Sequence, residues 1–272
     1  MRHTFCIAAL AFMLTPIAAQ IPPAQKPSFT VVSVKANKSG NRISLPTASP
    51  GGRFLATNAW LPSLLQFAYR PRNGLLMRNQ IVGGPSWMDT DRFDIEANAE
   101  ADAGVIPTEE MQLMVRSLLE DRFQLKAHFE NRELPIYELV VAKNAPKIKL
   151  AEDQNPVTPV TTRQIAMPGP GGIALTISNT AITLSDFATL LQQYAGRPIV
   201  DKTSLRGLFD VKLQFSVDVG GPSAGTQLGL PPDPSGPSIF TAVQEQLGLR
   251  LERARGPVEV LVIDSVQKPT EN

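Results

Sequence analysis

The sequence predicts an α+β protein of two similar lobes, each a small mixed β-sheet with helices packed on one face. Three observations lead there. Short β-branched runs alternate with apolar stripes of helical period, so neither strands nor helices dominate. The same order of elements is written twice, each recurring about 116 to 128 residues later. Between the copies lies a Pro-rich stretch, Glu152–Pro170, that has the composition of a linker.

After a Pro-rich leader, the first strand expected is Ser28–Val34, followed by a polar loop from Asn37 to Gly52. The first copy then reads as strand Arg53–Thr57, helix Leu61–Tyr69, the short run Gln80-Ile81-Val82, strand Arg92–Ala97 and helix Thr108–Arg122. It closes on an expected hairpin, Phe123–Phe129 against Leu134–Lys143. In the second copy strand Ile173–Ile177, helix Thr183–Tyr194, Pro198-Ile199-Val200, strand Leu208–Leu213 and a helix from Ser238 to Leu247 follow in the same order. Its expected hairpin is Leu249–Arg253 against Val258–Ile263. Phe93-Asp94-Ile95 matches Phe209-Asp210-Val211, and Pro135–Val141 matches Pro257–Ile263.

The helices have local causes. Met111, Met114, Val115, Leu118 and Leu119 form one apolar stripe, with Glu109 and Glu110 in the first turn, where the helix dipole favours negative charge. Thr183 three residues before Asp186 is an N-cap signature, and Gly196 and Gly248 stand where a left-handed stop is wanted. The layout is therefore a segment 1–19, a leader and first strand over 20–50, a first lobe over 51–150, a linker over 151–170 and a second lobe over 171–272. A Gly/Pro/Ser-rich loop, 218–236, interrupts the second lobe and is expected to be mobile.

Residues 1–19 read as a secretory signal. Arg2 and His3 precede the apolar run Phe5–Leu14, and Pro16-Ile17-Ala18-Ala19 offers small residues for a peptidase, with cleavage near Ala19. The run is shorter than the roughly 20 residues a bilayer span needs, and no later window approaches that length, so no stable membrane insertion is expected. Cys6 opens the apolar run, whereas a lipid anchor needs a Cys that closes it. Cleavage leaves 253 residues with 25 basic against 25 acidic and no Cys. Such a chain relies on its core rather than on disulfides. The location expected is periplasmic or secreted. The whole chain carries 26 Lys+Arg against 25 Asp+Glu, a balance that gives no footprint for nucleic acid.

Chemical motifs are sparse. Gly221-Pro222-Ser223-Ala224-Gly225 has the spelling of a nucleophile elbow but lies in a Gly/Pro-rich loop, far from the helix such an elbow opens into. His128 is the only histidine after residue 19, and it falls on a strand. Asp201-Lys202-Thr203 follows an apolar strand, where Asp201 is expected to make a side-chain turn. Asp89, Asp91 and Asp94 are spaced like the start of a calcium loop, with Glu100 at the closing position, but the sixth position is Asp94 instead of the turn Gly. After residue 19 the chain has one His and no Cys, too few for the usual zinc sets. No catalytic residue, metal or cofactor is expected. Gly83-Gly84-Pro85-Ser86-Trp87 sets a large aromatic on a tight turn, and the residues singled out as partner contacts are Trp87, Asp89, Arg92, Asp201 and Lys202.

The segments GGPSWMDTDRFDIEA, RELPIYELVVAK, GRPIVDKTSLRGLFD and GPVEVLVIDSVQKPTEN resemble an uncharacterised family of exported soil-bacterial proteins, a domain of unknown function, from about Ser28 to Asn272. Ser204 stands where that family has Gly. The resemblance implies no activity. Similar domains attached to sensor-type membrane metallopeptidases imply signalling across the envelope. In order of elements alone, the second copy is also similar to the short N-terminal docking domain of secretins and TonB-dependent receptors. The leading expectation is a non-enzymatic interaction or sensing module of the envelope, with an envelope protein as partner. The alternatives are a hydrolase using carboxylates such as Asp89, Asp91 or Glu133, and a small-ligand carrier using the cleft between the lobes. Export is checked by intact mass: protein recovered from periplasm or medium should begin near Gln20, and a product retaining Met1 or bearing a lipid would refute it.

Overall fold

A computed structural model of the chain describes residues 26–40, 46–49, 51–71, 74–99, 104–143, 146–155, 162–169, 172–217 and 236–270. The signal-like segment 1–19, Glu100, the Ser223 motif and nearly all of the 218–236 loop lie outside them.

The first half runs β1 (Val31–Ala36), β2 (Thr47–Ser49), β3 (Arg53–Ala59), α1 (Leu61–Ala68), β4 (Ile81–Gly83), α2 (Trp87–Thr90), β5 (Phe93–Asn98), α3 (Thr108–Arg122) and β6 (Lys126–Val141). The second runs β7 (Lys149–Leu150), β8 (Thr162–Gly169), β9 (Gly172–Ile182), α4 (Leu184–Ala195), β10 (Ile199–Asp201), β11 (Phe209–Val217), α5 (Ile239–Leu247) and β12 (Leu249–Ser265). Strand, helix, short strand, strand, helix and long strand thus occur in that order twice, as β3–α1–β4–β5–α3–β6 and β9–α4–β10–β11–α5–β12, with the short α2 extra in the first.

The architecture is α+β. An antiparallel sheet β1-β5-β3-β2 and helices α1 and α3 enclose one core, around Phe54, Leu64, Ile95, Leu119 and Phe123. An antiparallel sheet β7-β11-β9-β8 and helices α4 and α5 enclose another, around Ile177, Phe187, Leu191, Leu213 and Phe215. The mixed sheet is single and shared: its order is β10-β6-β12-β4, with β10 parallel to β6 and β4 parallel to β12.

That sheet corrects the two expected hairpins. Neither Glu130–Glu133 nor Ala254–Pro257 reverses direction, and none of those residues has a positive φ of the kind tight hairpin turns use. Each expected hairpin is one long strand, and the two strands pair with each other, antiparallel from Leu249 opposite Val141 to Ser265 opposite Lys126. At the ladder's centre Leu134 faces Gly256, two residues separated by the same 122 positions that relate Pro135 to Pro257. At this waist each strand has a single neighbour, because β10 reaches only Tyr137–Leu139 and β4 only Leu261–Ile263. A proline without an N–H is tolerated there as on a sheet edge.

Two further stretches differ from expectation. The loop 37–52 contains β2, and the segment 151–170 contains β8, which pairs along β9 from Thr162 opposite Asn179 to Gly169 opposite Gly172. By contrast, α3 has the expected bounds. Thr183 caps α4 by accepting from Asp186 N at 3.0 Å, and Gly196 and Gly248 end α4 and α5 in the left-handed region.

The matching Phe-Asp pairs have a common structural cause. Both β3–β5 and β9–β11 carry a bulge, and in each a non-glycine residue sits in the left-handed region: Asn58 at φ 50° and Ala181 at φ 54°. Asp94 Oδ1 accepts from Asn58 N at 2.7 Å, and Asp210 Oδ1 accepts from Ala181 N at 3.1 Å. Each aspartate satisfies the N–H that the bulge withdraws from the ladder. Asp94→Ala and Asp210→Ala should each cost about 1–3 kcal/mol by leaving that donor unmet. Ala181→Gly should instead be neutral or stabilising by up to about 1 kcal/mol, since glycine takes the left-handed region without strain. Urea unfolding of the three variants checks both signs.

Candidate binding cleft

The residues singled out in sequence separate into two places. Around α2, Gly83 and Gly84 take φ values of 83° and 82°; a Cβ on Gly84 would stand 2.2 Å from Met88 Sδ, so the tight turn requires glycine there. That turn seats half-buried Trp87 edge-on against Phe93, with ring centroids 6.3 Å apart, and Lys268 Nζ lies 5.8 Å from the Trp87 ring centroid. Arg92 lies over Trp60 and donates to the carbonyls of Asp89 and Asp91.

The three aspartates spaced like a calcium loop do not converge. Asp89 takes a two-point contact from Arg78, at 2.8 and 2.5 Å, and Asp91 pairs with Lys268 at 2.6 Å. Asp94 receives Asn37 Nδ2 and the bulge N–H of Asn58. No group of three or more His, Cys, Asp or Glu side chains able to hold a metal occurs among the described residues. Glu133 lies at the ladder's waist, opposite Pro257, in a different sheet from Asp94. On β6, His128 Nδ1 stands 3.0 Å from Asp264, on the exposed face.

Asp201 and Lys202 end β10. Asp201 Oδ1 accepts from both Thr203 N and Thr203 Oγ1, at 2.9 and 2.8 Å, which is the side-chain turn expected there. Lys202 is exposed, and its N–H extends the β10–β6 pairing to Leu139 O. Of the five residues, Asp201 alone lines a cleft with a cavity volume of about 670 Å³.

This cleft lies between the two cores. One wall is formed by Arg70, Pro71, Gly74, Leu75 and Gln80, the other by α4 with β10, and Asn131 and Pro257–Glu259 of the ladder form the floor. Sequence reasoning missed α4's part. Leu184, Phe187 and Leu191 turn into the second core, which leaves Ser185, Asp186, Thr189 and Gln192 as a second face at helical spacing, directed to the cleft. That polar stripe was visible, but such a stripe ordinarily faces bulk water.

The walls are held by side-chain amides. Buried Gln80 accepts from Met77 N at 2.9 Å and donates from Nε2 to Glu259 O, so it bolts the turn before β4 to β12 at the waist. Gln192, 2% exposed, donates from Nε2 to Ile199 O at 3.4 Å and stands against Gly74, where an added Cβ would lie 2.8 Å from its Oε1. The walls touch at that point because residue 74 lacks a side chain.

Lys268 makes a pH signature. Its hydrogen bond, more than its charge, holds the Asp91 carboxyl below the ordinary value of 3.8 against a smaller opposing effect of burial. The pair's contribution is complete above that value and disappears as pH falls through the lower folded value. In Lys268→Met the Asp91 carboxyl should titrate close to 3.8, which carboxyl-detected NMR measures directly.

No helix among the described residues is long and apolar enough to cross a membrane. No curated protein and no solved structure matches the chain. The profile of one family matches residues 62–266, from α1 through the end of β12 and so across both cores and the cleft. The chain belongs to that family, described as "Protein of unknown function (DUF3738)".

Proposed function

We propose that the protein is an exported, non-enzymatic binding module of the envelope that takes a polar small ligand in the cleft between its lobes. The observation that carries this reading is the cleft itself. Its volume of about 670 Å³ falls within the range of ligand sites, roughly 300–1,000 Å³. Both halves of the chain contribute walls, so a bound molecule bridges the two cores and biases their relative placement, as a sensing module requires. The lining is rich in amides, hydroxyls and carboxylates, which favours a polar ligand over the apolar cargo of a hydrophobic carrier. Residues 1–19 support export, and the twofold recurrence of elements about the Leu134–Gly256 pair supports an internal duplication.

Thermal shift against fractionated envelope metabolites tests the reading. A ligand at a hundred times its Kd adds about 2.7 kcal/mol, a rise of about 5–10 °C in Tm for a chain of this size. Thr189→Trp places an indole in the cleft from the middle of α4 and should abolish the shift. A shift that survives Thr189→Trp, or no shift from any fraction, would refute binding in the cleft.

A further inference from the structure

We propose that the free edge of β12 docks an acidic peptide in extended form, which adds as a further strand beside Leu251, Arg253 and Arg255. None of these three residues lines the cleft between the lobes, so this is a second surface. Ala142 N donates to Gly248 O in register with the ladder, so the even-numbered residues of β12 up to Val262 direct their main-chain groups to β6. In an antiparallel pair the odd-numbered residues then direct theirs away from β6. Glu259 O, which accepts from Gln80 Nε2, is outward as this alternation requires. On that side β4 covers only Leu261–Ile263. The N–H and C=O groups of Leu251, Arg253 and Arg255 therefore form an open row, with no hydrogen-bond partner among the described residues. Such a row is a template for one more strand.

The side chains beside this edge define the occupant. Phe240, Thr241, Gln244 and Glu245 of α5 and Arg250 and Leu251 of β12 enclose a groove of about 300 Å³. Phe240 is 38% exposed and meets Tyr137 edge-on, with ring centroids 5.1 Å apart, which leaves part of its ring open to an apolar side chain. A second hollow shares Gln244, Glu245 and Arg250 and extends the groove to exposed Lys143 and Lys147. Against the cations Lys143, Lys147, Arg250, Arg253 and Arg255 stand the carboxylates of Glu245 and Glu252, and Glu252 pairs with Arg250. Arg253 has no carboxylate partner among the described residues, and Arg255 donates to the carbonyl of Glu133. The excess is positive and complements a strand that bears carboxylates. The same charges disfavour a second copy, because pairing this edge with itself sets like charges together.

The probe is the fluorescein-labelled peptide ETETFTETE, whose glutamates and central phenylalanine share one face of a strand and whose order is the same in both directions. Anisotropy titration of the full chain should show one-to-one binding, with the lysine counterpart KTKTFTKTK silent. Bound peptide should slow hydrogen exchange of the Leu251, Arg253 and Arg255 amides by about tenfold or more, since an added strand protects them and a loose charge contact does not. The double variant Arg253→Glu/Arg255→Glu should weaken binding by about tenfold or more, and Phe240→Ala should weaken it through the groove wall. Residues 240, 253 and 255 are exposed, so these variants should fold. Thr189→Trp should leave peptide binding unchanged, so this edge and the cleft are judged separately. Equal binding of the lysine peptide, full affinity in the double variant, binding without amide protection, or no binding would each overturn the proposal. A dimer in sedimentation velocity that the peptide does not displace would assign the edge to a second copy and overturn it as well.

Discussion

The pairing of β6 with β12 is the interaction on which everything else depends. Each strand serves both cores. Tyr137 and Leu139 of β6 enter the second core while Ala127 and Phe129 pack against the first; Leu249 and Leu251 of β12 enter the second core while Leu261 and Ile263 enter the first. Side chains alternate along a strand, so a slip of one residue would turn both sets outward at once. The register is therefore locked from two ends, and the parallel additions of β4 and β10 at opposite ends complete the lock.

The waist of this ladder accounts for the cleft. Where neither β4 nor β10 reaches, the ladder lacks an outer neighbour and its edge faces water, with Asn131, Arg132, Glu133, Arg253 and Arg255 exposed. Packing each core against its own end of the ladder leaves a gap over the middle. Gln80 and Gln192 line that gap because each uses one amide group to satisfy a nearby main-chain carbonyl, of Glu259 and of Ile199. A cleft of this kind is a by-product of sharing strands between cores, and its polar lining follows from the edge carbonyls it must satisfy.

Local signals were legible wherever a local cause determines structure. The stripe from Met111 to Leu119 delimited α3, Thr183 and the two glycines marked helix ends, and Asp201 closed its turn as expected. The role of Asp94 and Asp210 was not legible, although their match was, because a bulge is a property of two strands together. The long strands were misread for the same reason. A period of two identifies strand, but Glu130–Glu133 is equally compatible with a turn and with a ladder whose partner lies more than 100 residues away. Gln192 was invisible as a site residue, since nothing in α4 says what stands opposite its polar face.

Partners in the ladder are separated by between 108 positions, for Val141 and Leu249, and 139, for Lys126 and Ser265. Closing contacts of that separation is entropically costly, so folding is governed by non-local order and belongs to the slow class. The first core, although nearly all of its residues precede Leu125, also contains Leu261 and Ile263. It cannot finish before the other half has arrived. The two lobes are thus separate in packing but not in folding. A chain cut between β7 and β9 would yield two fragments, each carrying one long strand, and both cores would form only when the fragments combine.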